Sequence, residues 1–161
     1  MARIDEEVRI QLSVLDRLID FEPEVTSEPL ASRSKSLRQL KQSLKRDLEW
    51  LLNTRQTFIP PEELPDLAGS LLAFGLPDFS TISVRSTQDQ NNLVLALETT
   101  LKHFEPRLED VVVSLAATSP LERALRFRIE ARLKVDPVPE PVTFDTTLVL
   151  GSGNFAVKGE S

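Results

Sequence analysis

The chain has no cysteine and no tyrosine, and only one histidine and one tryptophan in 161 residues. Without cysteine there is no disulfide framework, no thiolate metal site and no cysteine nucleophile. A single histidine excludes a multi-histidine metal site. Long apolar runs are missing too. The longest mostly apolar stretch, Leu67 to Leu76, falls far short of the ~18–20 residues that span a bilayer. The start, Met1-Ala2-Arg3-Ile4-Asp5-Glu6-Glu7, is acidic, whereas a secretory leader opens basic and turns apolar. A soluble, cytosolic chain is expected. Positive charge is in deficit, with 19 Lys and Arg against 25 Asp and Glu, a net charge of -6 and a pI near 4.9. That balance argues against nonspecific nucleic-acid binding, which needs a positive surface. What remains is 40% hydrophobic residues. In a chain of this length that suffices for one domain with a radius of gyration of roughly 15 Å, burying roughly 70% of its unfolded surface.

Ile4, Val8, Leu12, Leu15 and Ile19 recur at steps of three or four, one face of an amphipathic helix, with Val14 and Leu18 widening the stripe. Glu22-Pro23 ends it, and residues 21–34 read as a linker. Residues 1–34 are therefore expected to form an amphipathic arm and linker, with a single domain over 35–161. Leu37, Leu40, Leu44, Leu48 and Leu51 predict a helix over about 35–54, started by Ser34 or Ser36, with Leu52 and Trp50 beside the stripe. Trp50 is read there as a core or helix-packing residue. Pro60, Pro61 and Pro65 exclude regular helix over 55–65. A short helix is expected from Asp66 to Phe74, capped by Gly75 and stopped by Pro77. Ser86-Thr87-Gln88-Asp89 resembles a capping box before Leu93, Leu97, Leu101 and Phe104, and Pro106 closes that helix.

The period then changes to two. Leu125, Phe127, Ile129, Ala131, Leu133 and Val135 alternate with Arg126, Arg128, Glu130, Arg132 and Lys134, a strand with one buried and one wet face. Strands are also expected at 111–115 and 142–148, with a turn at 151–154 and a short edge strand at 155–157. The order predicts an α+β fold, N-terminal helices packed on one face of a C-terminal antiparallel β-meander.

Candidate chemistry is sparse. Paired carboxylates for glycoside hydrolysis need a defined separation across a sugar cleft, which a sequence does not supply. His103 lies near a helix C-terminus, where the dipole favours it, and no Gly-x-Ser-x-Gly nucleophile turn accompanies it. Gly151-Ser152-Gly153-Asn154 lacks the lysine and the strand-to-helix context of a phosphate loop. The arginines of the alternating strand read first as a solvated face, next as an ion-paired protein interface, and last as a nucleic-acid stripe. No catalytic, cofactor or metal residue is assigned. Glu105-Pro106-Arg107 is the most informative short string. Pro106 stops the helix and holds Arg107 just past its end, where its fork caps carbonyls or grips a carboxylate bidentately. Glu105 sits at the negative end of the helix dipole, which raises the question of a cationic partner.

Four strings in order carry a resemblance: Ser13-Val14-Leu15-Asp16-Arg17-Leu18, Arg46 to Arg55 (RDLEWLLNTR), Ser70 to Phe79 (SLLAFGLPDF) and Phe104-Glu105-Pro106-Arg107-Leu108. Together they resemble the TssE family of small baseplate subunits of bacterial type VI secretion systems. That family is similar to a baseplate wedge protein of contractile-tailed phages often labelled lysozyme-like. The resemblance implies a non-catalytic structural subunit that joins TssF and TssG in a wedge and offers a docking template to the sheath proteins TssB and TssC. It also implies a place at the baseplate on the inner face of the cytoplasmic membrane. It assigns Glu105, Pro106 and Arg107 to holding the wedge junction. Ser13, Leu15, Asp16, Arg17 and Leu18 are expected to dock a wedge partner. The lysozyme label implies peptidoglycan hydrolysis as the alternative, and a phage-like particle is another machine for the same role. The residues agree with an assembly adaptor: a sheet ending in a short strand offers an edge for strand addition, and an amphipathic arm offers an apolar face.

Overall fold

Leu40, Leu44, Leu48, Leu51 and Leu52 form one buried stripe and set helix α1, Arg33–Asn53. In this computed structural model the described residues are Val14, Leu18, 33–61, 63–79, 83, 86–116, 124–150 and 152–159. The expected arm therefore lies outside them except for Val14 and Leu18, which have helical backbone and are exposed. Helix α2, Thr87–Phe104, buries Leu93, Leu97, Thr100 and Leu101. Its start is half a capping box. Ser86 Oγ accepts from the Asp89 N–H, but the Asp89 carboxylate reaches back to the N–H of Ser83, not that of Ser86.

The segment expected to be a helix at 66–74 is instead two tighter 3₁₀ turns, Pro65–Gly69 and Leu71–Ala73. Ser70, extended between them, breaks the run. Gly75 is needed for a different reason than a helix cap. It has φ +110°, and a Cβ there would stand 2.5 Å from the carbonyl oxygen of Thr54. That close approach lets Thr54–Gln56 and Leu76 pair like two short parallel strands, Leu76 N–H to Thr54 O at 2.9 Å and Gln56 N–H to Leu76 O at 2.8 Å.

Four antiparallel strands follow in sequence order: β1 Leu108–Ala116, β2 Ala124–Leu133, β3 Glu140–Val149 and β4 Asn154–Gly159. Alternation decides which face is buried. Phe127, Ile129 and Leu133 of β2 point into the core, while Arg126, Arg128 and Arg132 face out. One irregularity keeps β1 in phase. Asp110, at φ +53°, and Val111 together oppose a single residue of β2, so both Leu108 and Val111 face inward. Helix α1 packs beside β4 and α2 beside β1. The fold is thus α+β, and among the described residues two long helices pack against a four-stranded meander. Burial of its leucines is worth roughly 2 kcal/mol each.

Candidate functional site

Three of the four strings meet where α1 ends. Arg107, just past the Pro106 stop, turns back on Glu105 two residues earlier. Its Nε donates to Glu105 Oε1 and its Nη2 to Oε2, both at 2.6 Å. Nη2 also donates to Asp47 Oδ2 on α1 at 2.7 Å. The other oxygen of Asp47 accepts from Arg46. The cationic partner that Glu105 requires is therefore Arg107 itself, gripping bidentately. Glu105 is only 5% exposed, so this pair carries desolvated charge. Hydrogen bonding to Glu105 raises the Arg107 pKa above its already alkaline value; burial opposes the rise, and the charge of Glu105 and the contact with Asp47 add to it. The guanidinium stays charged wherever the protein is folded. Lys134, past the end of β2, completes the junction: its N–H donates to Arg107 O and its Nζ to Pro106 O. One arginine thus ties the end of α2 to the middle of α1 and the end of β2.

The residues after Asp47 act in the same way. The Asn53 side-chain amide donates to Phe155 O at 2.9 Å, and its oxygen accepts from Phe155 N–H at 2.8 Å. It satisfies both backbone groups of one β4 residue, as an added strand would. Thr54 Oγ1 donates to Trp50 O, and Arg55 reaches the carbonyl of Gly153 in the β3–β4 turn. The string Leu-Leu-Asn-Thr-Arg is a clasp between α1, the 70–79 segment and the last hairpin. At the opposite sheet edge, Glu98 of α2 accepts from the N–H of Val113 on β1 at 2.9 Å. Each edge strand is therefore engaged by a polar side chain from a helix.

Asp47, Asn53 and Glu98 do not stand out individually in the sequence. Asp47 and Asn53 carried a signal, since both stand at polar positions within the leucine-rich string. Glu98 carried none. Trp50 corrects an expectation: it is 71% exposed, on the outside of α1. It lies three residues from Asp47, on the same side of the helix. Of the expected docking residues in the arm, Leu18 is 76% exposed, and Ser13, Leu15, Asp16 and Arg17 lie outside the described residues.

The outer sheet face is ion-paired within itself. Arg128 meets Asp145 directly across the β2–β3 ladder at 3.0 Å, and Arg132 meets Glu109 and Asp110 at the bulge. His103 Nδ1 donates to Thr99 O one turn back on its own helix. Among the described residues no group of three or more His, Asp or Glu is placed to hold a metal ion, and no helix is long and apolar enough to cross a membrane.

No curated protein and no solved structure matches the chain. A family model does, over residues 38–138, the span from the second turn of α1 through the Glu105–Arg107 junction to just past the end of β2. That match covers most of the domain just described, and the chain belongs to the family described as Baseplate wedge protein gp25, structural proteins of contractile tail-like systems.

Proposed function

We propose that this chain is the TssE-type baseplate subunit of a type VI secretion system. The observation that carries this reading is the set of four strings, in order, that resemble TssE. On it, the protein is a non-catalytic adaptor in the cytoplasm, at the baseplate. It joins TssF and TssG in the wedge through Glu105, Pro106 and Arg107 and through the arm residues Ser13, Leu15, Asp16, Arg17 and Leu18. Its sheet offers a template to TssB and TssC. The position of the junction supports such a role. Asp47 and Arg107 keep about a quarter of their side-chain surface exposed, and the exposed Trp50 stands beside Asp47. An aromatic beside a charged fork is the composition of an interface centre. The hydrolase alternative draws no support from Glu105, whose two oxygens already accept from Arg107.

The test is co-expression of the tagged chain with TssF and TssG, with the mass of the complex read by light scattering. The reading expects a stable complex that is lost with Arg107→Glu and weakened by Trp50→Ala. Arg107 also holds its own domain together, so the mass must be read with a thermal midpoint. Trp50→Ala is expected to leave that midpoint unchanged. Recovery with the wedge proteins of a phage-like particle and not with TssF and TssG would move the protein to that machine. A lone monomer that degrades purified peptidoglycan would overturn the adaptor reading.

A further inference from the structure

The two sheet edges are guarded unequally. Residues 112–116 pair in regular register with 126–130, which fixes the direction of the backbone groups of β1. Val113 gives its N–H to Glu98 of α2 and not to β2. By alternation the Val113 carbonyl and both backbone groups of Leu115 also point away from β2. At the other edge Asn53 takes both groups of Phe155, and Phe155 and Val157, which share that direction, are only 4% and 3% exposed. At the β1 edge Glu98 is an acceptor only and takes one group. Leu115 stays 37% exposed, with exposed Val112 and Ser114 beside it. Among the described residues no side chain bonds to Leu115. β1 is thus the edge with backbone groups still to satisfy, and residues 111–116 carry no charge. An uncharged, apolar edge is where a sheet pairs with another strand.

Two copies of that edge fit each other. An antiparallel pair about a two-fold axis at Ser114 sets Val113 of each copy opposite Leu115 of the other, and Val112 opposite Ala116. It joins the outward N–H and carbonyl groups of Val113 and Leu115 reciprocally, and no like charges meet. Glu98 stands in the way. Its Oε1 holds the Val113 N–H at 2.9 Å. Its Oε2 lies 3.5 Å from Lys102 Nζ, one helical turn on, which steadies the carboxylate. Pairing requires this bond to be given up in both copies, and two carboxylates then approach the same axis.

We propose that Glu98 is an edge plug, which keeps β1 of the free protein from pairing with β1 of a second copy. The plug discriminates between partners. A second copy brings a plugged edge, so two carboxylates must be displaced. An extended segment of another protein brings bare backbone groups, and only one carboxylate must leave. Asn53 closes β4 with a donor and an acceptor, whereas Glu98 closes β1 conditionally. The proposal concerns copies of this chain alone and stands apart from the secretion-system assignment.

The test is sedimentation of the full chain over a concentration series, read together with a thermal midpoint. The unaltered chain is expected to stay monomeric. Glu98→Ala removes the plug from both copies and should tighten self-association at least about tenfold. Glu98→Gln keeps a carbonyl acceptor and should stay close to the unaltered chain. Glu98→Leu removes the acceptor but fills the space, and must associate as Glu98→Ala does, which keeps the test valid if the truncation loosens α2. Charge reads the register. Ser114 is exposed and stands opposite Arg128 on β2, so Ser114→Glu is compatible with the fold. Added to Glu98→Ala, it sets two carboxylates face to face across the axis and should restore the monomer. Mixing that variant with Glu98→Ala carrying Ser114→Lys should bring association back. Monomers with both Glu98→Ala and Glu98→Leu overturn the proposal, as does an unaltered chain that already associates. Association indifferent to Ser114→Glu places the contact elsewhere and also overturns it. Equal association of Glu98→Gln and Glu98→Ala overturns the plug, since charge alone then separates the copies.

Discussion

From Asp47 to Arg55, the polar side chains of α1 and its exit reach across the fold: Asp47 to Arg107, Asn53 to Phe155, Arg55 to Gly153. From Ser34 to Lys45 the same helix buries Leu40 and Leu44 but turns Arg38, Lys41 and Lys45 to an open groove. Hydrophobic spacing is the same in both halves. The difference lies in what the polar side chains bond to, and therefore in what each half can do. The second half positions the last hairpin, the end of α2 and the 70–79 segment relative to each other. The first half contributes core leucines and sets Arg38, Lys41 and Lys45 along the rim of the groove. The resemblance strings include the whole second half and none of the first, which fits a signature set by long-range bonds.

This contrast breaks most readily at Gly75. Gly75→Ala would force a Cβ into the Thr54 carbonyl at a positive φ. The pairing of Leu76 with Thr54–Gln56 is then lost, at a cost of at least about 2 kcal/mol. Urea unfolding should show a lower midpoint, and the Leu76 amide should lose protection from exchange. Arg107→Ala comes next. It leaves the buried Glu105 carboxylate without its fork and frees Asp47. Breaking a buried pair costs about 3–5 kcal/mol; since Arg107 keeps 26% of its side-chain surface exposed, a loss of about 2–3 kcal/mol is expected. Arg107→Lys should recover only part of it, because an ammonium cannot make the two parallel bonds to Glu105. Asn53→Ala follows. It strips both backbone groups of Phe155, an expected loss of about 1–2 kcal/mol, with faster amide exchange at Phe155 and unchanged exchange at Val113, which Glu98 holds.

Much of the fold is legible in the sequence, because periodicity records which side chains are buried. The leucine stripes of α1 and α2 and the alternation of 125–133 lie where the structure places those elements. The 66–74 segment misleads, since its apolar residues suit a helix while Pro65 and the extended Ser70 allow only single tight turns. Trp50 misleads because its size suggests the core. Its spacing says otherwise, as it stands two residues from both Leu48 and Leu52 and so about 200° around the helix from each. The site was half legible. Glu105-Pro106-Arg107 stood out as a string, and the bidentate grip followed from arginine geometry. Its third member, Asp47, is sixty residues away, and no periodicity encodes a pair at that separation. Asn53 and Glu98 act on backbone groups of distant strands, which leaves still less trace.

The smallest expected effect sharpens the comparison from the other side. Arg38→Glu reverses a charge on the exposed flank of α1, where among the described residues Arg38 makes no ion pair. Surface substitutions away from caps and buried pairs usually shift stability by less than about 0.5 kcal/mol, so the urea midpoint should barely move. The same magnitude of charge change at Asp47, on the same helix nine residues on, meets Arg107 and Arg46. Asp47→Lys should therefore cost several times more and should lower the thermal midpoint visibly. If the two reversals cost the same, the division of α1 into a tied half and an open half is wrong, and the cations at the groove are part of the fold. If Arg38→Glu is neutral, the Arg38 charge is not part of the fold, and its removal can be read in any binding experiment without a correction for folding.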